Sequence, residues 1–133
     1  MLTYVDSSVL IAAFRGTSPA SASANTLLAD AARRFVTSDF VQLEVLPKAT
    51  FHRHPTEIDF YNLFFANVHL WVRTTSALIR LALLRGGEFG LSAAGTLHVA
   101  AAEVAGADEL VTTEKRDKPL PRVTSVRVVS IHP

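Results

Sequence analysis

Hydrophobic residues recur along this chain with two different periods, and stretches of the two kinds alternate. Short runs rich in β-branched and aromatic residues are typical of buried strands, and longer stretches with apolar residues on most faces are typical of helices. Because helical stretches separate the strand-like runs, the pattern predicts an α/β fold with a mainly parallel sheet covered on both faces. The predicted strands are Leu2–Val5, Arg34–Ser38, His69–Thr75, Glu109–Thr113 and Val126–Ile131.

Cap and break signals set the expected bounds of the first three helices. The segment Ser7–Phe14 is apolar nearly all round and should form a buried helix. An alanine- and leucine-rich helix is expected from about Ser21 to Arg34. In the third helix Asp39 is the expected N-cap, with Gln42 as its capping-box partner. Pro47 should kink that helix or end its regular part.

Start and stop signals also bound the three later helices. Proline favours the first helical position, serine caps a helix, and glycine commonly follows the last residue. The start signals are Pro55, Ser76 and Ser92, and the stop signals are the Gly86–Gly87 pair and, after about Ala105, Gly106.

Composition narrows the classes of protein to which this chain can belong. At 133 residues and 49% apolar content, we expect a single domain over residues 1–133. The chain has no cysteine, which excludes disulfides and thiolate metal sites and fits the cytoplasm. The N-terminal residues lack the features of a signal peptide, and no apolar run approaches the roughly 20 residues of a membrane span. We therefore expect a cytoplasmic protein without a membrane partner.

Net charge and apolar content bear on the expected partners. The formal charge of +1 gives no general sign of nucleic-acid binding, so any such contact must rest on local basic patches. The high apolar content of so small a chain suggests a covered surface. We expect a homodimer or an obligate protein partner.

Acidic residues follow two of the predicted strands. Asp6 comes directly after the first strand, and Glu114 and Asp117 follow the strand that begins at Glu109. Glu44 lies near the start of the helix after the second strand. Ligands of parallel sheets collect at the carboxyl ends of the strands, so these acids are expected to converge. Carboxylate oxygens suit Mg²⁺ or Mn²⁺, and a metal held in this way can support phosphodiester cleavage.

Each of these acids also has an ordinary structural interpretation. Asp6 can cap the helix that follows it. Glu44 can form a surface pair with Lys48 at i+4. Glu114 and Asp117 can be solvated charges of a loop. His98, one turn after Gly95, is better interpreted as a packed or hydrogen-bonded histidine than as a ligand.

The segments "YVDSSVLIAAF", "LSAAGTLHVAAAEVAGADELVTTEK" and "VRVVSIHP", with Glu44 between them, resemble the PIN-domain ribonucleases. The VapC-like toxins of bacterial toxin–antitoxin pairs are the most similar type. This resemblance implies a three-layer α/β/α fold around a mainly parallel sheet, often dimeric. It also implies RNA cleavage with Mg²⁺ or Mn²⁺ and an antitoxin protein as a partner.

The resemblance implies roles for individual residues. Asp6 and Glu44 match the first and second metal-binding acids, and Glu114 matches an acid that is normally aspartate. Supporting roles are implied for an accessory acid, Asp117, and for the hydroxyl-bearing residues Ser7, Ser8 and Thr112. The basic residues Lys115, Arg116 and Lys118 could hold RNA phosphates or belong to an ordinary charged loop.

One acidic position of the family pattern is missing. The family's "ADALH"-like context is "AGTLH" in this chain, and Gly95 stands where the family has aspartate. Losing even the residues that orient a metal ligand typically costs about 10–100-fold in affinity or activity, so losing a ligand should cost at least that. We therefore expect a nuclease that is weakened, that requires high metal concentrations, or that has lost its activity.

Three hypotheses follow. The leading one is a metal-dependent endoribonuclease with Asp6, Glu44 and Glu114 at the ion and Asp117 assisting. The second is a catalytically inactive PIN fold that binds RNA or a protein partner. The third, which the remaining pattern does not favour, is a phosphotransfer or phosphatase domain with Asp6 as its nucleophile.

Overall fold

The five strands form one sheet in which every neighbouring pair is parallel, in the order β3-β2-β1-β4-β5. The structure is a computed structural model that describes residues 1–133. Parallel sheets are buried on both faces, which explains why these strands are apolar runs rather than alternating ones. The strands are β1 (Leu2–Val5), β2 (Arg34–Ser38), β3 (Leu70–Val72), β4 (Glu109–Thr112) and β5 (Val128–Ser130).

Six α-helices and one short 3₁₀ helix, Leu120–Arg122, connect the strands. None of the helices is long and apolar enough to cross a membrane. The α-helices are α1 (Ser7–Arg15), α2 (Ser21–Leu28), α3 (Asp39–Phe51), α4 (Pro55–Ala66), α5 (Ser76–Phe89) and α6 (Ala93–Val104).

The helices cover the sheet on both faces. Tyr4 in β1 reaches His98 of α6, so α6 covers the face to which Tyr4 points. Phe35 in β2 pairs with Thr3, whose side chain points to the opposite face because side chains alternate along a strand. The Phe35 ring contacts Phe64 of α4 on that opposite face. The architecture is therefore the three-layer α/β/α arrangement that the resemblance implied.

The central strands carry the core. Tyr4, Val5, Leu110 and Val111 are fully buried, and β1 pairs with β4 so that Val5 lies opposite Val111. Burying a side chain of this size contributes roughly 1.5–3 kcal/mol. Strands β1 and β4 are thus held firmly in the core, which fixes the positions of the residues that follow them.

A buried acid at the amino end of the sheet is held by two hydrogen bonds to one of its oxygens. Glu109 is only 2% exposed. Its carboxylate accepts hydrogen bonds from the Thr3 hydroxyl at 2.7 Å and from Nε of Arg33 at 2.8 Å. Because removing one partner of a buried ion pair is strongly destabilising, this acid has a structural role.

The strand predictions are confirmed, with somewhat shorter strands, but the second helix is shorter than expected. It ends at Leu28, and Arg34 begins β2 instead of ending the helix. The reason is a turn at Asp30, whose carboxylate accepts a hydrogen bond from the backbone N–H of Ala32 at 2.9 Å. The side-chain bond at this turn competes with continuation of the helix.

Two predicted N-caps lie one residue too late. Ser38, not Asp39, caps α3 through the N–H of Val41, and Thr75, not Ser76, caps α5 through the N–H of Leu78. The Asp39 carboxylate is engaged elsewhere and accepts a hydrogen bond from Nε1 of Trp71 at 2.8 Å. The cap predicted at Ser92 is confirmed by its bond from the N–H of Gly95 at 3.2 Å.

One predicted stop does not end its helix. Helix α3 contains Pro47 and continues to Phe51, as expected for the segment FVQLEVLPKATF, with Val45 and Ala49 buried against the core. Helix α5 passes Gly86 and Gly87 and ends at Gly90, which has a left-handed φ of 66°. Gly86 serves close packing instead, because a Cβ atom there would lie 2.8 Å from Oγ1 of Thr96 in α6.

We predict opposite stability effects for alanine at the two adjacent glycines. Gly86→Ala should lower the free energy of unfolding by about 1–3 kcal/mol because it overpacks the α5–α6 contact. Gly87→Ala should raise it by about 0.5–1 kcal/mol, since a Cβ there meets nothing within 4 Å. Urea denaturation measures both. Adding Thr96→Ala to Gly86→Ala should recover part of the loss, and equal stability of the two single variants would contradict the packing role.

Candidate active site

A cleft of about 280 Å³ opens at the carboxyl ends of β1 and β4. It brings together residues from both strand ends and from α1, α3 and α6. Three of the acids expected at a metal ion share this cleft, as do the expected hydroxyls and the glycine at the missing acidic position. The principal lining residues are Asp6, Ser7, Ser8, Glu44, Gly95, His98, Thr112 and Glu114.

Asp6 is held in place by the start of α1. It is 7% exposed and caps the helix, and its Oδ1 accepts hydrogen bonds from the N–H and the hydroxyl of Ser8. Ser8 in turn accepts a hydrogen bond from the N–H of Thr113 at 3.1 Å. Ser8 therefore ties the acid after β1 to the segment after β4. None of these bonds uses Oδ2 of Asp6.

Glu44 is paired with a histidine and not with Lys48. Its Oε1 lies 2.5 Å from Nε2 of His98, and the Glu44 side chain is 37% exposed. The His98 hydrogen bond lowers the pKa of Glu44, burial opposes this shift, and the charge of His98 and the Ser7 hydroxyl lower it further. The prediction of a hydrogen-bonded His98 is confirmed, and Glu44 remains ionised as a ligand oxygen donor requires.

A buried chain of hydrogen bonds extends from His98 into the core. Nδ1 of His98 lies 2.7 Å from the Tyr4 hydroxyl, which lies 2.7 Å from Oγ of Ser38. Ser38 already accepts the N–H of Val41. We therefore assign Ser38 as the donor to the Tyr4 oxygen and the Tyr4 hydroxyl as the donor to Nδ1 of His98. The ring proton of His98 is then on Nε2, which donates to Glu44.

The Tyr4 phenol remains protonated within this chain. Burial is the main reason, since it raises the pKa of Tyr4 far above its ordinary value despite the Ser38 hydrogen bond. Tyr4 and Ser38 were not among the predicted site residues. A tyrosine in an otherwise apolar buried strand, two residues before Asp6, is the signal that could have indicated Tyr4.

The backbone of Glu114 is held by hydrogen bonds, while the environment of its carboxylate disfavours ionisation. Its N–H donates to Oγ1 of Thr112 at 3.1 Å, and its carbonyl accepts from the Ser130 hydroxyl. Burial and then the charge of Asp6 raise the pKa of Glu114, while Lys118 lowers it. The two acids therefore lie close enough to disfavour simultaneous ionisation in the absence of a cation.

The remaining predicted residues lie outside the cleft. Asp117 is exposed and does not line it. Arg116 donates hydrogen bonds to the carbonyl oxygens of His132 and Ser130, at 2.7 and 3.1 Å, and so fastens the loop to the C-terminal segment. Lys115 is exposed, whereas Lys118 is close enough to affect Glu114. No three acidic or histidine side chains converge closely enough to hold a metal ion as they stand.

Gly95 has no structural requirement for glycine. It lies in the first turn of α6 without a positive φ. A Cβ atom there would make only ordinary contacts, 3.4 Å from Oγ of Ser92 and 3.9 Å from Cβ of Leu91. The position can therefore accept a side chain at the edge of the cleft.

The family model of the PIN domain matches residues 3–124. The chain belongs to the PIN-domain family. The match spans β1 through the 3₁₀ helix and thus includes all the acids that line the cleft. No curated protein sequence matches the chain.

Solved structures share this PIN fold at low sequence identity. VapBC2 from Rickettsia felis, bound to a promoter DNA fragment, has 13% identity and a TM-score of 0.74, with 98% of each chain covered. VapBC-1 from nontypeable Haemophilus influenzae has 14% identity and a TM-score of 0.70, again with 98% of each chain covered. VapC20 from Mycobacterium tuberculosis, a sarcin–ricin loop cleaving toxin, has 19% identity and a TM-score of 0.69, with 94% of this chain and 98% of that chain covered.

We predict that Tyr4→Phe will disturb the PIN domain more than Tyr61→Phe. Loss of the Tyr4 hydroxyl leaves Nδ1 of buried His98 without a donor and the hydroxyl proton of buried Ser38 without an acceptor, which should cost about 1–3 kcal/mol of unfolding free energy. The Tyr61 hydroxyl donates to partly exposed Glu57 at 2.6 Å, which water can solvate, so its loss should cost less. Nitrogen-15 NMR of the His98 ring in the wild type should show the Nε2–H tautomer, with Nε2 donating to Glu44 and Nδ1 accepting from Tyr4. A neutral ring protonated on Nδ1 would contradict the assignment.

We predict opposite effects of pH on two glutamine variants in EDTA. The raised pKa of Glu114 means that its ionisation destabilises the folded state as pH rises. Glu114→Gln should therefore raise Tm at pH 7 by about 1–2 °C, as expected for a fraction of 1 kcal/mol, and the gain should vanish below about pH 4. Glu44, with its lowered pKa, contributes stability above its ordinary pKa that is lost on acidification. Glu44→Gln should therefore lower Tm at pH 7, and a shift of the same sign in both variants would contradict these assignments.

Proposed function

We propose that this PIN domain is an endoribonuclease that cleaves RNA phosphodiester bonds with Mg²⁺ or Mn²⁺ and that Gly95 weakens it. The observation that carries the proposal is the meeting of Asp6, Glu44 and Glu114 in one cleft. These carboxylates come from three separate parts of the chain. The toxin named for its cleavage of the sarcin–ricin loop shares the fold and supports the choice of RNA.

The side chains in the cleft fit a hard, hydrated cation. Mg²⁺ is usually bound through one or two carboxylates and keeps several waters. Asp6 and Glu114 offer such a pair. Burial and then the charge of Asp6 raise the pKa of Glu114, and a cation held by both carboxylates would favour its ionised form. The bound ion would supply an activated water and polarise the phosphate.

The protein side chains position this donor set. Ser8 fixes the orientation of Asp6, and His98 holds Oε1 of Glu44 while leaving Oε2 for the ion or its waters. Lys118, beside Glu114, contributes positive charge for an RNA phosphate. Asp117, Lys115 and Arg116 lie further out, where we assign them at most an accessory role.

Partners follow from the same proposal. The related complexes are toxin–antitoxin pairs, which supports an antitoxin protein as a partner of this chain. Exposed Ile79, Leu83 and Leu84 on α5 provide apolar surface that a homodimer or an antitoxin would cover. An enzyme that acts on RNA in this way would be located in the cytoplasm.

A second candidate function is an inactive PIN domain that binds RNA or a protein. Gly95 favours it, because a ligand oxygen of the family pattern is absent. The lack of three converged metal-binding side chains favours it as well.

A cleavage assay on purified protein separates the two functions. With Mn²⁺ and a panel of RNAs, we expect weak cleavage by the wild type and at least about 10–100-fold more by Gly95→Asp. Gly95→Asn is the matched control, since it has a similar size but no carboxylate, and it should not increase cleavage. Asp6→Asn should abolish activity. Calorimetric titration with Mn²⁺ should show tighter binding by Gly95→Asp than by Gly95→Asn.

Two results would contradict the nuclease proposal. One is the absence of cleavage by both the wild type and Gly95→Asp. The other is equal Mn²⁺ affinity in Gly95→Asp and Gly95→Asn, which would mean that position 95 does not contribute to an ion site.

A further inference from the structure

A second groove, of about 300 Å³, lies beside the carboxylate cleft, between α1, α3 and α4. Glu44 lines both cavities, so they adjoin. A ligand long enough to pass Glu44 can therefore contact both cavities. None of the acids proposed for the metal ion, other than Glu44, belongs to it.

The groove presents two cations that have no ion pair. Arg15 at the end of α1 and Lys48 on α3 both line it, and both are exposed. No carboxylate lies within ion-pair distance of either side chain, whereas five other basic residues of the chain do have such partners. Glu57 also lines the groove; Tyr61 and His54 hydrogen-bond to its carboxylate, and the charge of Arg15 acts on it more weakly from beyond ion-pair distance. Arg15 and Lys48 are thus available to an external anion.

Aromatic rings lie at the C-terminal end of α3, next to this groove. Phe51 is 80% exposed, an unusual position for so large an apolar side chain. Its ring lies 5.1 Å from that of His52, and the His52 ring lies 5.9 Å from that of His54, both measured between centroids. We call Phe51, His52, Arg53 and His54 the α3-end platform.

Arg53 holds this platform in a costly backbone conformation. Its φ is 54°, the left-handed region where glycine is usual and other residues are disfavoured. The N–H of Arg53 bonds to the carbonyl of Thr50, and the N–H of His54 bonds to that of Ala49, which ends α3 and brings His54 next to His52. Glycine would be more stable here, but it would lack the exposed guanidinium.

We propose that the α3-end platform, with Arg15 and Lys48, is a binding subsite for single-stranded RNA. Cations that follow the backbone, combined with exposed rings on which unpaired bases stack, are the features by which proteins bind single strands. A duplex keeps its bases stacked on each other and would not use the rings. This inference rests on the proposed function, because that function makes RNA the substrate. It adds that the RNA on one side of the cleft lies in the groove between α1, α3 and α4.

The test is the binding of a fluorescein-labelled single-stranded RNA of about 12 nucleotides in EDTA, followed by anisotropy, so that no cleavage is required. Arg15→Ala/Lys48→Ala should weaken binding and reduce the slope of log affinity against log salt by about 1.4, or roughly 0.7 per lost phosphate contact. Arg34→Ala/Arg127→Ala removes the same charge from exposed residues at the opposite edge of the sheet and should leave the slope unchanged.

The rings and the strained arginine give independent readouts. Phe51→Ala should weaken binding about fivefold or more, as for the loss of one stacked base, and Phe51→Leu should weaken it similarly although it keeps apolar surface. Phe51→Trp should retain binding. Arg53→Gly should raise Tm yet weaken RNA binding, so a folding defect cannot explain the loss. A duplex of the same length should be insensitive to Phe51.

The outcomes separate this inference from the proposed nuclease activity. Wild-type affinity and salt slope in the Arg15/Lys48 and Phe51 variants would overturn the subsite and assign this surface to a protein partner, while cleavage could persist. Absence of RNA binding by the wild type would overturn it too. Site-dependent binding without any cleavage would support the subsite and contradict the nuclease.

Discussion

The parallel pairing of β1 with β4 is the constraint on which the candidate site depends. Val5 lies opposite Val111, and the pairing continues one residue further through the N–H of Asp6 and the carbonyl of Val111 at 3.1 Å. Residues more than 100 positions apart in the chain therefore leave the sheet at the same edge. The fold brings the carboxylates of Asp6 and Glu114 into one cleft, where they repel each other. The free energy from burying the strands offsets this repulsion.

The sequence predicted the sheet and the three cleft acids because both depend on local patterns. A short apolar strand followed by an acidic residue can be recognised from about a dozen residues of sequence. When the strands are parallel, their carboxyl ends lie at the same edge of the sheet. The partners of those acids were less accessible. A pair with Lys48 was the ordinary alternative for Glu44, but its partner is His98, which is 54 positions away, and Tyr4 and Ser38 meet only through the folded core. The caps at Ser38 and Thr75 each precede the predicted residue by one position, and the predicted cap Asp39 instead accepts a hydrogen bond from Trp71.

Glycines illustrate the same limit. Gly86 appeared to be a helix stop and is instead a point of contact between two helices, where a methyl group would collide with Thr96. Gly95 also lies within a helix, yet space surrounds it on the side of the cleft. The two positions cannot be distinguished by local propensity, because the difference lies in what the neighbouring helix or loop places next to them.

The buried and hydrogen-bonded Glu109 at the other end of the sheet has a consequence for how this domain can change. Its bonds to Thr3 and Arg33 join β1, β4 and the turn before β2 on the side away from the cleft. The hydrogen bonds of Glu109 and the carboxylate cleft therefore lie at opposite ends of one sheet. A residue at the cleft end, such as residue 95, where a Cβ meets only ordinary contacts, can therefore change without disturbing the bonds that hold the opposite end of the sheet.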